Sequence, residues 1–251
     1  MDKTKWIIFT IVAAGLFGAL IIMSNSDKVD VSNIDHTKIQ PATELSGNIA
    51  DHTYGSNKNK VILIEYGDYQ CPGCGSAYKP VKEVVEKYKD NLTFVFRNYP
   101  LTSLHPNAKA AAATAEAAGE MGKYWEMHNL LYEDQSSWNN ASINERGEVF
   151  SNFASQIGLD KGEFTKKLKQ NQDRYNKKIT FDFALGKKAG VTGTPTFYLN
   201  GKIVDQKVKD GKIVTPNPSD DSQTQIWMNS KDFGKLLIEP ALKEAGLLTK
   251  Q

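Results

Sequence analysis

Apolar and polar positions alternate in different ways along this chain, and each pattern predicts a different element. From Trp6 to Met23 no charge interrupts a run that is apolar on every side. With no polar face it suits a bilayer span better than a core helix, and it exceeds the usual apolar stretch of a cleavable signal. From Val61 to Tyr66 (VILIEY) apolar and β-branched residues crowd together as in a buried strand, which stops at Gly67. Directly afterwards apolar residues recur at Cys74, Ala77, Tyr78, Val81, Val84, Val85 and Tyr88, the spacing of one helix face. Pro80 is expected to kink that helix.

Leu92 to Phe96 predicts a second strand. From about Asn107 to Gly190 the pattern is helical, beginning with the alanine-rich stretch Ala110–Ala118. Tyr124–Tyr132, Glu145–Ile157, Lys161–Gln170 and Asn171–Ala189 follow, parted by Gly, Ser and Asn clusters. Phe197–Leu199 then reads as a short strand, with Asn200-Gly201 as a hairpin turn into Lys202–Val204. Residues 205–230, polar and carrying Pro216 and Pro218, predict a surface excursion. Phe233, Leu236, Leu237, Ala241 and Ala245 predict a C-terminal helix kinked at Pro240.

The order predicts an α/β domain, residues 46–104 and 191–251, interrupted by an inserted helical domain at 105–190. Residues 27–45, polar and containing Pro41, read as a linker. Residues 1–26 read as an N-terminal membrane anchor, or an uncleaved signal. Ser24 and Ser26 are small enough for a cleavage site, but no Ala-x-Ala precedes them. Lys3 and Lys5 flank one side of the run, and Asp27, Lys28, Asp30 and Asp35 the other. That asymmetry places the N-terminus in the cytoplasm and exports the body, as a single-pass protein of the cell membrane.

Composition narrows the classes. The 251 residues are 40% hydrophobic and 24% charged, which excludes collagenous, disordered and disulfide-rich secreted chains. Lys and Arg number 31 against 29 Asp and Glu, so no basic face for nucleic acid is expected.

The chain has 2 cysteines, Cys71 and Cys74, at the predicted strand-to-helix junction. A CxxC can be a structural disulfide, half of a metal site or a redox couple. As a staple it closes a short loop, worth roughly 2 kcal/mol against about 4.7 for a loop near a hundred residues. As a zinc site it lacks partners, because His36, His52, His105 and His128 show no paired metal-ligand spacing. The redox reading has a mechanism: the N-terminal end of a helix favours thiolate at Cys71, while Cys74 lies one turn in, toward the core. Pro72 fits the first helical position, where its missing N–H costs nothing.

With these residues in view, the sequence resembles the thioredoxin superfamily, and within it the DsbA-like thiol–disulfide oxidoreductases of bacterial cell envelopes, in their membrane-anchored form. The match is carried by Glu65-Tyr-Gly-Asp-Tyr-Gln-Cys-Pro-Gly-Cys74, Arg97-Asn-Tyr-Pro-Leu101 with His105-Pro106, Lys123-Tyr-Trp-Glu-Met-His128 and Thr192-Gly-Thr-Pro-Thr-Phe197. The resemblance implies a thioredoxin fold with a large inserted helical domain. It implies Cys71 as the attacking cysteine, Cys74 as its buried partner, and a cis peptide at Thr194-Pro195 whose loop pairs with substrate backbone. Pro72 and Gly73 would tune the pair, and Glu65 would assist proton transfer at Cys74; the plainer reading of Glu65 is a strand-edge carboxylate in solvent.

One departure stands out: Pro-Gly lies between the cysteines, where the best-known relatives have Pro-His. Gly73 can open backbone access for substrate or serve simple turn chemistry.

The resemblance further implies a dithiol oxidase that introduces disulfides into exported polypeptides. It would need no cofactor beyond the Cys71–Cys74 disulfide and no metal, and a membrane quinone-linked partner would reoxidise it. A reductase or isomerase on the same fold, a non-catalytic peptide-binding protein and a metal-holding adapter remain the alternatives. His128 reads as a packed histidine, His105-Pro106 as a helix start, and Trp125 and Trp138 as core or lid residues.

Overall fold

The computed structural model describes residues 29–58 and 60–248, together with residues 9, 10 and 12. The expected membrane anchor, apart from residues 9, 10 and 12, therefore lies outside the described residues. Among those described, no helix is long and apolar enough to cross a membrane.

A five-stranded sheet carries the fold. Its strands are β1 (His52–Gly55), β2 (Ile62–Gly67), β3 (Thr93–Asn98), β4 (Thr196–Leu199) and β5 (Lys202–Val204), in the order β1-β3-β2-β4-β5. β2 and β3 run parallel and the other pairs antiparallel. Helix α1 (Pro72–Tyr88) makes the parallel crossover between β2 and β3. Five helices then separate β3 from β4: α2 (Ala108–Glu120), α3 (Tyr124–Glu133), α4 (Ile143–Gln156), α5 (Lys161–Gln170) and α6 (Gln172–Ala189). This is the thioredoxin-like α/β fold with a helical insertion that the sequence implied.

β2 is central, and its two faces bury different partners. Leu63 packs with Val81, Val84 and Cys74 of α1, whereas Ile62, Ile64 and Tyr66 pack with Phe181 and Leu185 of α6. Side chains alternate between faces along a strand, so Glu65 shares the α1 face with Leu63. A carboxylate was therefore placed under a helix by the same two-residue period that buries its apolar neighbours.

Three sequence expectations need correction. Residues 29–45, read as linker, are docked on the domain. Val31 is buried, Arg97 donates to the carbonyls of His36 and Lys38 at 2.6 Å each, and Lys188 Nζ donates to those of Val31, Ser32 and Ile34. The segment is held through its backbone carbonyls, by buried Arg97 and by exposed Lys188, and such contacts leave no mark in side-chain composition.

The excursion at 205–230 contains a small sheet of β6 (Lys207–Lys209), β7 (Lys212–Val214) and β8 (Thr224–Gln225), ordered β7-β6-β8. After it, Ile226 and Trp227 are buried, with Trp227 5.2 Å from the Phe197 ring. Strands this short leave no periodicity to read. Finally, α1 is continuous through Pro80, and the C-terminal helix meets Pro240 by widening instead of breaking. A π-helical turn, Gly234–Ile238, separates α7 (Ser230–Phe233) from α8 (Glu239–Glu244). The wider turn accommodates a residue that lacks an N–H donor.

Candidate active site

The end of β2 and the start of α1 build the site. Cys71 is the N-cap of α1, with φ −68° and ψ 124°, and Pro72 follows at the first helical position. Its backbone N–H donates to the Asp68 carbonyl at 3.0 Å, while its own carbonyl accepts from Gly75 N–H at 3.0 Å. Both cysteines are free thiols here, Cys74 fully buried and Cys71 8% exposed. The Cys71 thiol donates to the Thr194 carbonyl at 3.4 Å, across 123 residues of sequence, and Thr194-Pro195 is a cis peptide. The structure thus brings Cys71, Pro72, Gly73, Cys74, Thr194 and Pro195 together at one point of the surface.

The two sulfurs are electrostatically unlike. A hydrogen bond from the Cys74 thiol, then the Thr194 side chain and the backbone N–H groups of Cys74 and Gly73, hold the Cys71 thiol down at about 5, against burial. Burial pushes Cys74 well above the usual thiol value, aided by its role as donor to Cys71 and by Glu65. At neutral pH the pair is one thiolate and one thiol, with the proton on the inner sulfur.

Glu65 lies beneath. It is 4% exposed, which removes the reading as a solvent carboxylate on a strand edge. Burial, and then the charge of Cys71, push it up to about 8. It lines a pocket of about 420 Å³ including its open mouth, shared with Tyr78, Trp125, His128, Lys82 and Glu86.

The sign of its effect on stability follows. Between about pH 4.5 and pH 8 the folded protein holds a proton that the unfolded chain has released, so stability falls as pH rises through that window. Glu65→Gln is therefore expected to raise unfolding free energy at pH 8 by on the order of 2 kcal/mol and to flatten the slope, as read by urea denaturation across pH. An unchanged slope would show that Glu65 ionises normally.

Gly73 has no positive φ that would demand glycine. A Cβ there would stand 3.5 Å from Pro195 Cδ, 3.6 Å from Cys71 Sγ and 3.6 Å from the Thr194 carbonyl, which are ordinary contacts. Turn chemistry does not explain it. A side chain at position 73 would stand over Cys71 Sγ, Pro195 and the Thr194 carbonyl, and glycine leaves that space free.

Several residues that build this geometry were given no such role from the sequence. Asp68 donates its N–H to Cys74 Sγ at 3.5 Å, while its carboxylate accepts from the N–H groups of Gln70 and Leu101 at 2.8 Å each. His105 Nδ1 sits 2.7 Å from the same carboxylate, so His105 braces the junction and the helix itself begins at Ala108. Gln135 donates to the carbonyls of Tyr69 and Cys71, at 2.7 and 3.1 Å. A position 64 residues away in the chain has no local pattern by which to announce such a contact.

His128 is packed, as the sequence suggested, within a ring of aromatics that includes Phe96 at 4.8 Å, and burial lowers it to about 3. Trp138 is fully buried. Among the described residues, no group of three or more His, Cys, Asp or Glu is placed to hold a metal.

Comparison with known proteins agrees with this geometry. The thioredoxin family model matches residues 47–214. A Na⁺/H⁺ antiporter, NhaA 1 of Salinispora arenicola, is 36% identical over 152 residues, covering 61% of this chain and 22% of the antiporter. The chain thus spans less than a quarter of the length of such curated relatives. BdbD from Bacillus subtilis superposes with a TM-score of 0.58 at 18% identity, over 82% of this chain and 98% of that one. MdbA, a thiol–disulfide oxidoreductase from Corynebacterium diphtheriae, gives a TM-score of 0.53 at 20% identity, over 66% and 87%. At these identities the likeness is one of fold.

Proposed function

The chain belongs to the thioredoxin family, and on that premise we propose that it is a thiol–disulfide oxidoreductase that introduces disulfides into exported polypeptides through Cys71 and Cys74. In its disulfide form, a substrate thiolate attacks Cys71 Sγ. The new substrate–Cys71 bond forms as the Cys71–Cys74 bond breaks, and Cys74 leaves with the electron pair. Because burial disfavours charge on Cys74, it takes up a proton, for which protonated Glu65 is the nearby source. A second substrate thiolate then attacks the substrate sulfur of the mixed disulfide, and Cys71 departs as thiolate. The substrate is oxidised by two electrons and the enzyme becomes the dithiol. The space that Gly73 leaves free would take an extended substrate backbone beside Thr194-Pro195.

The observation that carries this reading is the asymmetry of the sulfurs. A Cys71 thiol held at about 5 is a good leaving group in the second step and stabilises the dithiol form. Both effects favour oxidation of substrate. Equilibration with glutathione mixtures is expected to give a reduction potential above about −200 mV, with thiolate absorbance of Cys71 titrating near pH 5. A potential near the −270 mV or so of thioredoxin would make the protein a reductase instead.

The uncharged run from Trp6 to Met23 supports an anchored body outside the cytoplasmic membrane, where disulfides persist. A quinone-linked membrane protein would then return the pair to its disulfide.

A further inference from the structure

Next to the cysteine pair stands a second pair of groups able to hold a proton, Asp68 and His105. Asp68 Oδ2 lies 2.7 Å from His105 Nδ1 and also accepts from the Leu101 N–H at 2.8 Å. Asp68 Oδ1 accepts from the Gln70 N–H at 2.8 Å, and the whole side chain is buried. A carboxylate only accepts, so Nδ1 carries the proton of the neutral ring and Nε2 presents a lone pair.

That lone pair has no use within the fold. Among the described residues Nε2 has no hydrogen-bond partner, yet it is not among the polar atoms sealed from solvent without one, and the imidazole is 16% exposed. Its open side is a cleft of about 680 Å³ including its mouth, which His105 shares with Gln70 and Pro72. Pro72 is bonded to Cys71. Asp68 fixes both parts of the arrangement, because its carboxylate holds His105 while its carbonyl accepts the Cys71 N–H at 3.0 Å.

An incoming cysteine has a need that this dyad meets. Thiolate, and not thiol, attacks a disulfide, and at pH 7 only about 3% of an ordinary cysteine is thiolate. Glycine at position 73 brings no base to the site, and Glu65, which burial keeps protonated, accepts no proton there.

We propose that His105, oriented by Asp68, is the general base for the substrate thiol. Nε2 takes the thiol proton, directly or through one intervening water, as the substrate sulfur bonds to Cys71 Sγ and the Cys71–Cys74 bond breaks. Cys74 leaves with the electron pair. The imidazolium, stabilised by the Asp68 carboxylate, then returns its proton to solvent through the cleft. The proposal rests on the thiol-exchange reading above and adds to it the source of the attacking thiolate.

The test mixes the full-length protein, in its disulfide form, with a peptide carrying two cysteines or with the same peptide carrying two selenocysteines. Each peptide passes two electrons to the enzyme, whose dithiol is counted by mass spectrometry after acid quenching. A selenol is ionised at neutral pH and needs no base. His105→Gln keeps an N–H for Asp68 but has no group that takes a proton near pH 7. It is expected to slow the cysteine peptide about tenfold, within the roughly thirtyfold that the thiolate fraction allows. The selenocysteine peptide is expected to stay within about twofold of wild type. An equal loss with both peptides would leave His105 as a brace of the junction, and an unchanged rate with cysteine would leave it no part in the step. Either result overturns the proposal. If the wild type oxidises neither peptide, the thiol-exchange reading itself has failed, and the role of His105 with it.

Discussion

Replacing Cys71 by alanine is expected to abolish disulfide exchange, whereas replacing Cys74 by serine is expected to arrest it midway. The asymmetry follows from burial. Cys71 is the sulfur that reaches the surface beside Thr194, and Cys74 is fully covered. Without Cys71, no sulfur can be attacked by substrate and none can leave, so the loss should be at least about a thousandfold. Without Cys74 the thiolate at Cys71 persists, because the helix N-terminus and the Thr194 side chain still favour it. It loses the hydrogen bond from the Cys74 thiol, the largest of the effects that lower it, for which a serine hydroxyl is a partial substitute.

Cys74→Ser protein should therefore still attack an activated disulfide and then accumulate as a mixed disulfide, having no inner sulfur to release the substrate. Mass spectrometry of acid-quenched mixtures reads both outcomes. Exchange that continued in Cys71→Ala would leave only a peptide-holding protein.

How much of this was legible in the sequence depends on the range of the interaction. The cysteine pair, Pro72 and the helix they begin are local, and their spacing alone located them. The cis peptide at Thr194-Pro195 was reached through resemblance, since nothing in a Thr-Pro dipeptide distinguishes cis from trans. Glu65 shows an intermediate case. The run VILIEY marks a buried strand, but only the sheet order, with β2 central and α1 laid over one face, determines that its carboxyl is buried.

Arg97 lay within a stretch that carried the resemblance, yet no role could be given to it. Its partners are Asp51, distant along the chain, and the carbonyls of His36 and Lys38, which come from a segment whose polar composition read as linker. Asp68, His105 and Gln135 were missed for the same reason. Each acts through a backbone group or a partner that is distant along the chain.

That buried network sets the second large expectation. Asp51 accepts from Arg97 Nη2 at 2.7 Å, from Lys178 Nζ at 3.0 Å and from Gln40 N–H at 2.8 Å. Lys178 also pairs with Asp182 at 2.7 Å, and all four charged side chains are fully buried. Arg97 and Asp51 flank the sheet, Lys178 and Asp182 belong to α6, and Gln40 belongs to the N-terminal segment. One carboxylate thus joins three parts of the molecule. Burial would raise the Asp51 carboxyl, but Lys178 and then Arg97 outweigh it and bring the group down to about 2.

Asp51→Asn keeps the shape and removes the charge, leaving buried Arg97 without a carboxylate partner and Lys178 with Asp182 alone. Breaking a buried pair in this way typically costs about 3–5 kcal/mol, so the variant should be severely destabilised in urea. The double variant Asp51→Asn with Lys178→Met should recover part of the loss, because it leaves one buried cation, Arg97, against one carboxylate, Asp182. The wild type supplies a further check. With its folded pKa depressed, the Asp51 contribution is complete above about pH 4 and is lost as pH falls toward about 2. The gap in stability between wild type and Asp51→Asn should therefore narrow in that acid window. A gap that stayed constant from pH 7 to pH 2 would mean that shape, and not charge, is what Asp51 supplies.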